Sequence, residues 1–164
     1  MTTFPAVSEM IDLTGKHALV TGGGKGIGAA ISKRLVEAGA SVTIADIDPD
    51  MSEVANELSA TFALCDITVP EQLEAAVRLA SNESNLDILV NNAGIYPPTG
   101  PIAEVSDEFV SKMLDINVRA QFSASREAVN CMSSGGSIVN ISSIAAIRGG
   151  ASISAYSASK AAII

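Results

Sequence analysis

The chain has 164 residues, of which 48% are hydrophobic and 17% charged, and it carries a formal net charge of −8. That composition is globular and argues against a disordered chain, and the length suits one domain with a sizeable core. The acidic balance, with no run of Lys or Arg, argues against a nucleic-acid or anionic-membrane partner, because neutralising phosphates takes clustered cations.

No apolar stretch approaches the roughly 20 residues of a membrane span. The N-terminal extension, residues 1–14, carries Glu9 and Asp12 and no basic stretch, so it does not read as a signal peptide. Cys65 and Cys131 are too few and too far apart for a disulfide framework or a zinc site, so no metal is expected. They read as buried thiols of a reducing compartment, and a cytoplasmic location is expected. No repeat, low-complexity segment or linker divides the chain, so residues 1–164 read as one domain.

His17–Thr21 is a short apolar run that ends in glycines and predicts a buried strand. Ile27, Ala30, Ile31, Leu35 and Ala38 then recur at helical spacing, and Gly39 stands where a C-cap belongs. Residues 41–45 predict a second strand. Asp48 and Pro49 predict the N-cap and first turn of a helix running to about Leu58. Residues 61–65 predict a third strand. Thr68-Val69-Pro70-Glu71 has the form of a capping box opening a helix through Leu73, Ala76, Val77 and Ala80. Residues 86–90 predict a fourth strand, followed by a proline-rich loop at Tyr96-Pro97-Pro98. Ser106 predicts the cap of one long helix toward Met132, with Phe109, Met113, Ile116 and Ala120 along one face. Gly135-Gly136 ends it, residues 137–141 predict a fifth strand, and a new helix begins after Ser154. Strands alternating with helices imply right-handed crossovers and a parallel sheet covered on both faces, with ligands beyond the carboxyl ends of the strands.

The chemistry-bearing residues fall at those ends. Thr21-Gly22-Gly23-Gly24-Lys25-Gly26-Ile27-Gly28 joins the first strand to a helix, which suits a pyrophosphate held by backbone N–H groups at a positive helix end. An ordinary strand-to-helix turn is the alternative. A phosphate-binding P-loop is excluded, since Lys25 is not followed by Ser or Thr. Asp46 ends the second strand 18 positions after Gly28, near the distance at which an acidic residue meets the adenosine ribose. Its charge would repel a 2′-phosphate and favours NAD over NADP, whereas Lys25 favours the phosphate; a capping aspartate is the plain alternative. Tyr156 and Lys160, four apart on a helix, project from one face. A free tyrosine, with a pKa of about 10, exchanges protons poorly near neutrality, and an adjacent ammonium favours the phenolate. His17, at the wrong end of the first strand, reads as structural. Tyr96 either reaches the pocket or packs at its edge.

The Thr-Gly-x-x-x-Gly-x-Gly spacing, Asn91-Asn92-Ala93-Gly94 after the fourth strand, and Asn117, Ser143, Tyr156 and Lys160 in order resemble the short-chain dehydrogenase/reductase family. The resemblance runs from about Asp12 to the last residue. It implies a Rossmann-type α/β fold, a doubly wound parallel sheet of strand order 3-2-1-4-5, with a sixth and seventh strand not found within the 164 residues. It implies a catalytic tetrad of Asn117, Ser143, Tyr156 and Lys160, and a cofactor site of Gly22, Gly24, Lys25, Gly26, Ile27, Gly28, Asp46, Ile47, Asp66, Ile67, Asn92, Ala93 and Gly94, joined by Tyr156 and Lys160. Asp66 and Ile67 would flank the adenine, Lys160 would hold the nicotinamide ribose, and Asn117 a water relaying protons from Lys160. Ser142 is an alternative to Ser143, and the family's spacing of 13 residues to Tyr156 selects Ser143. The activity implied is interconversion of a secondary alcohol and a ketone with NAD, NADP being second choice, in a homo-oligomer (dimer or tetramer) when full-length. Set against it are a cofactor-binding fragment or incomplete subunit without turnover, and a dehydratase or epimerase, whose usual Gly-x-x-Gly-x-x-Gly turn is missing. With that strand order the fifth strand would be a bare apolar edge, open to association.

Overall fold

The computed structural model describes residues 10–82, 85–97, 100–133 and 135–164, so Glu9 and Pro98 lie outside the described residues. Five strands form one parallel sheet: β1 (His17–Thr21), β2 (Ser41–Asp46), β3 (Thr61–Leu64), β4 (Ile88–Asn91) and β5 (Ser137–Asn140), in the order β3-β2-β1-β4-β5. Six α-helices connect or follow them: α1 (Gly26–Glu37), α2 (Met51–Glu57), α3 (Pro70–Ser81), α4 (Asp107–Leu114), α5 (Ala120–Cys131) and α6 (Ser154–Ala161). The strand order reverses between β1 and β4, which opens a crevice at their carboxyl ends.

Residues of β1 alternate between two cores, as the period of a strand requires. Leu19 joins Leu73, Val77, Leu86, Leu89, Ala124 and Ala128 on the side of α3 and α5. Ala18 and Val20 join Val42, Ile44, Ala55 and Val90 on the side of α1 and α2. Each leucine or isoleucine so buried contributes about 1.5–3 kcal/mol. This is a doubly wound α/β fold of Rossmann type. Strand β5 is hydrogen-bonded to β4 alone, and all four of its residues are exposed, the bare edge expected from the strand order. Among the described residues no helix is long and apolar enough to cross a membrane, and no acidic, His or Cys cluster is placed to hold a metal.

Several local expectations change. The regular helix after Asp48-Pro49 starts at Met51, preceded by a tighter turn in which Asp48 accepts the Asp50 N–H at 3.1 Å, a cap-type bond as expected of it. The capping box does not form: Thr68 donates its hydroxyl to Asp66 at 2.7 Å, and Pro70 opens α3 without a side-chain cap. Ser106 does cap α4, accepting from the Phe109 N–H at 3.2 Å. The long helix beyond it is interrupted by a π-helical turn, Asp115–Arg119. Met113, Asn117, Ala120, Ala124 and Ala128 are buried along its inner face. On α1 the inward face is Gly28 and Ser32, with Ile31, Leu35 and Val36 against the core, while Ile27 is 65% exposed. Cys65 is buried and Cys131 half-buried, both free thiols.

His17 has the structural place expected of it, at the amino end of β1. Its backbone N–H donates to Asp87 Oδ2 at 2.9 Å, and Lys16 Nζ donates to Asp87 Oδ1 at 3.0 Å. Burial works against the Asp87 carboxylate, but these two donors outweigh it and hold its pKa below the ordinary value of 3.8. The native state therefore gains stability from Asp87 above pH 3.8, and that gain disappears as the pH falls through the lowered native value. Asp87→Asn is expected to lose on the order of 1 kcal/mol at pH 7. Urea titration should show the difference from the unsubstituted chain closing as the pH falls below 3.8 and through the lowered native value.

Candidate functional site

A cleft of about 1160 Å³ follows the carboxyl ends of β1, β2, β3 and β4. Its size lies at the top of the range for small-molecule sites, which suits an extended ligand. One wall is the turn between β1 and α1. Gly22 has φ +60, and a side chain there would meet the Ala93 backbone at 2.9 Å, so only glycine fits both the conformation and the contact. A side chain at Gly28 would overlap Gly22 O outright and stand 2.6 Å from Asn92 Nδ2. The turn is thus pressed onto the segment after β4, and hydrogen bonds lock the two together. Asn92 Nδ2 donates to Thr21 O at 3.0 Å and to Gly22 O at 2.9 Å. Thr21 Oγ1 accepts from the N–H groups of Asn92 and Ala93, each at 3.1 Å, and donates to Val90 O at 3.3 Å.

Eleven of the expected cofactor residues line this cleft: Gly22, Lys25, Ile27 and Gly28 on the turn, Asp46 and Ile47 after β2, Asp66 and Ile67 after β3, and Asn92, Ala93 and Gly94 after β4. The exposed Ile27 is therefore an apolar wall of the cleft and not a core residue. Gly24 and Gly26 do not line it. A side chain at Gly24 would collide with Met51, and the Gly24 N–H is already given to Asp46 Oδ2 at 3.1 Å, so it is not free for a phosphate. Gly26 supplies a left-handed residue, φ +55, at the start of α1. Asp46 is buried to 4% exposure, and its other oxygen accepts the Asp48 N–H at 3.2 Å. Beside it, Cys65 has its thiol pKa pushed up to about 11, by burial first and then by Asp66, which leaves a protonated, unreactive group. The opposite wall, which sequence reasoning did not assign, comes from one face of α4 and the π-helical turn: Ser111, Lys112, Asp115, Ile116 and Arg119.

The tetrad stands next to the cleft, not in it. The two meet at Gly94, where an added Cβ would be 3.0 Å from Asn117 Oδ1 and 3.6 Å from Lys160 Nζ. Lys160 is 5% exposed, and its Nζ donates to Ile141 O at 2.8 Å; burial holds its pKa below the ordinary lysine value. Asn117, fully buried, accepts the Ile95 N–H at 2.8 Å and donates to Ile95 O at 3.0 Å. It also donates to Ser159 Oγ at 3.0 Å, and Ser159 in turn donates to Tyr156 O at 2.7 Å. Tyr156 and Ser143 are half-buried and reachable from solvent. Ser143 Oγ accepts the Ala145 N–H at 3.1 Å and caps the short turn Ile144–Ala146, whereas Ser142 is turned away to donate to Lys160 O at 2.7 Å. Sequence reasoning missed Thr21, Ile95 and Ser159. The first and last adjoin Gly22 and Lys160, and adjacency was the available signal for them; Ile95 acts through its backbone, which carries no residue-type signal.

A nucleotide-sized cleft closed by a glycine turn at the switch point of the sheet, joined at Gly94 to a Tyr-x-x-x-Lys helix and a buried asparagine, is the arrangement of a Rossmann-type nucleotide-binding fold. The chain belongs to the short chain dehydrogenase family, whose model matches residues 16–164. It is 41% identical over 160 residues to the 3-oxoacyl-[acyl-carrier-protein] reductase FabG of Rickettsia prowazekii, covering 94% of this chain and 65% of that one. It is 35% identical over 161 residues to (+)-borneol dehydrogenase 2 of Salvia officinalis, covering 93% and 57%. A dehydrogenase/reductase structure from Sinorhizobium meliloti 1021 superposes with a TM-score of 0.91 at 37% identity, covering 98% of this chain and 67% of that one. A short chain dehydrogenase from Burkholderia cenocepacia J2315, solved in complex with NADP, superposes at 0.85 with 39% identity, covering 92% and 65%. The chain thus spans about 65% of the length of the Rickettsia reductase.

Proposed function

We propose that this chain carries the nucleotide-binding and proton-exchanging parts of an oxidoreductase that interconverts a secondary alcohol and a ketone. The observation that carries the reading is the junction at Gly94, where the nucleotide cleft abuts both Lys160 and Asn117. A bound nicotinamide would supply or accept the hydride. Tyr156 would exchange the proton at the substrate oxygen, and Ser143 Oγ would donate a hydrogen bond to that oxygen. The Lys160 ammonium, desolvated and with one proton committed to Ile141 O, would favour the phenolate of Tyr156 and reach toward a ribose with its remaining protons. Asn117 holds Ile95 and Ser159 directly, so its service to Lys160 through a water would add to a positioning role.

NAD is the cofactor this reading prefers. The cleft has room for a dinucleotide, about 1160 Å³, and passes the glycine turn at Gly22 and Gly28. Asp46 keeps a buried carboxylate at the end of β2, where a 2′-phosphate would bring like charge into a poorly screened site. Lys25 lines the same cleft and pulls toward NADP, the ligand of the Burkholderia neighbour. Asp46→Asn removes the charge but leaves an oxygen for the Gly24 N–H. It is expected to raise the NADPH-to-NADH ratio of binding constants roughly tenfold, a change of about 1.4 kcal/mol. An unchanged ratio in thermal-protection titrations would assign the choice to Lys25.

The reading is tested by thermal protection with NADH and by turnover of a panel of secondary alcohols followed at the NADH absorbance. Absence of any protection sinks it. Protection without turnover favours a second reading, a nucleotide-binding portion that is incomplete as a catalyst. That alternative draws on the exposed β5 edge and on the 65% span relative to the Rickettsia reductase. A homo-oligomer, the remaining expectation, is read from size-exclusion chromatography of the same protein.

A further inference from the structure

The loop leaving β4 ends in a contact that neither the nucleotide cleft nor the tetrad's hydrogen bonds require. The Tyr96 ring lies against the Tyr156 ring, with centroids 4.4 Å apart and planes tilted by 52°. Tyr96 is 60% exposed, so core burial does not place it there. The backbone before it does. Ile95 is held at both polar atoms by one side chain: its N–H donates to Asn117 Oδ1 at 2.8 Å, and its carbonyl accepts from Asn117 Nδ2 at 3.0 Å. The same Nδ2 donates to Ser159 Oγ, which donates to the Tyr156 carbonyl. Asn117 therefore reaches Tyr156 along two routes, one through its backbone and one through the ring of Tyr96.

We propose that Tyr96 is a positioning residue for Tyr156: Asn117 anchors it through Ile95, and its ring holds the Tyr156 phenol in one orientation. Tyr156 sits in the first turn of an eight-residue helix and is only half-buried, so its side-chain torsions have few other constraints. With centroids 4.4 Å apart the two rings are in direct contact, just inside the usual separation of about 4.5–7 Å for aromatic pairs. Proton exchange demands that geometry, because a misplacement of about 1 Å at a reacting group costs up to about 10²-fold in rate. The inference rests on the reading of Tyr156 as the proton-exchanging group, but the ring pairing can be measured apart from it.

The chain holds two tyrosines and no tryptophan, so near-UV circular dichroism reports this pair directly. The unsubstituted protein should show a tyrosine band that collapses in Tyr96→Ala and weakens in Asn117→Ala, where both tyrosines remain. Because Tyr96 is exposed, its removal leaves the fold intact. Tyr96→Ala should lower kcat for alcohol oxidation about tenfold with KM for NAD unchanged, and Tyr96→Phe should restore it. A kcat within about twofold of the unsubstituted value in Tyr96→Ala would overturn the proposal, as would a band indifferent to Tyr96→Ala. An unchanged band in Asn117→Ala would overturn the anchoring. If the band behaves as expected but no variant, nor the unsubstituted chain, turns over any alcohol, the positioning stands and the oxidoreductase reading falls.

Discussion

Tyr156→Phe is expected to turn over secondary alcohols about 10²–10⁴-fold more slowly than the unsubstituted protein, while NADH still protects it from unfolding. The substitution removes one hydroxyl and nothing else. The ring stays, so its contact with Tyr96 survives, and the Tyr156 carbonyl keeps its hydrogen bond from Ser159. The nucleotide cleft does not include Tyr156 in its lining, which is why most of the binding should survive. Loss of a positioned general acid–base group costs about 10²–10⁴-fold, and no other titratable hydroxyl stands ready to replace it. Tyr96 is the nearest phenol, and its exposed position on the loop lets the double substitution Tyr96→Phe, Tyr156→Phe exclude a substitute role. Retained turnover in Tyr156→Phe would move the proton transfer elsewhere and leave the Tyr-x-x-x-Lys spacing without a catalytic meaning here.

Gly28→Ala is expected to be the most damaging single-methyl change in the molecule. The new Cβ would overlap Gly22 O and stand 2.6 Å from Asn92 Nδ2. Both obstacles belong to the cradle itself. Gly22 O cannot retreat, because it accepts from Asn92 while Gly22 N–H donates to Ala45 O at 2.7 Å. Overpacking of this kind costs about 1–3 kcal/mol, and more where backbone is the obstacle. The expected outcome is a loss of about 3 kcal/mol in urea unfolding together with loss of NADH protection. Ala at exposed Gly149, where nothing stands within 4 Å, serves as the control and should leave both unchanged.

Much of the fold was legible along the chain because a strand buried on both faces is a continuous apolar run. His17–Thr21, Ser41–Asp46 and Ile88–Asn91 announce themselves in this way, whereas Ser137–Asn140 is exposed throughout, and the sheet order follows from the family resemblance. Helix boundaries were less legible, since caps depend on which of several partners a side chain finds. Thr68 had the form of a cap but found Asp66. The π-helical turn at Asp115–Arg119 has no spacing signature, because residues on either side keep an ordinary helical pattern. The same limit applied to the cleft. Its glycine-turn wall could be named from spacing, but the wall of Ser111, Lys112, Ile116 and Arg119 comes from a helix far away in the chain. Nor could spacing separate Gly24, committed to Asp46, from Gly22 and Gly28, which shape the cradle.

Residue types and intervals were enough to place a glycine turn, an acidic residue after the second strand and a Tyr-x-x-x-Lys helix, because each requirement is local: a tight turn, a strand end, one helical repeat. Where those pieces meet was not local. Gly94 joins cleft to tetrad because β4 lies between β1 and β5 and because Asn117, in the π-helical turn, is buried against the segment after β4. Tyr96, open between pocket and edge from spacing alone, lies with its ring against Tyr156, and the residue before it exchanges two hydrogen bonds with Asn117. Contacts between segments far apart in sequence leave no periodicity to read, and only packing reveals them.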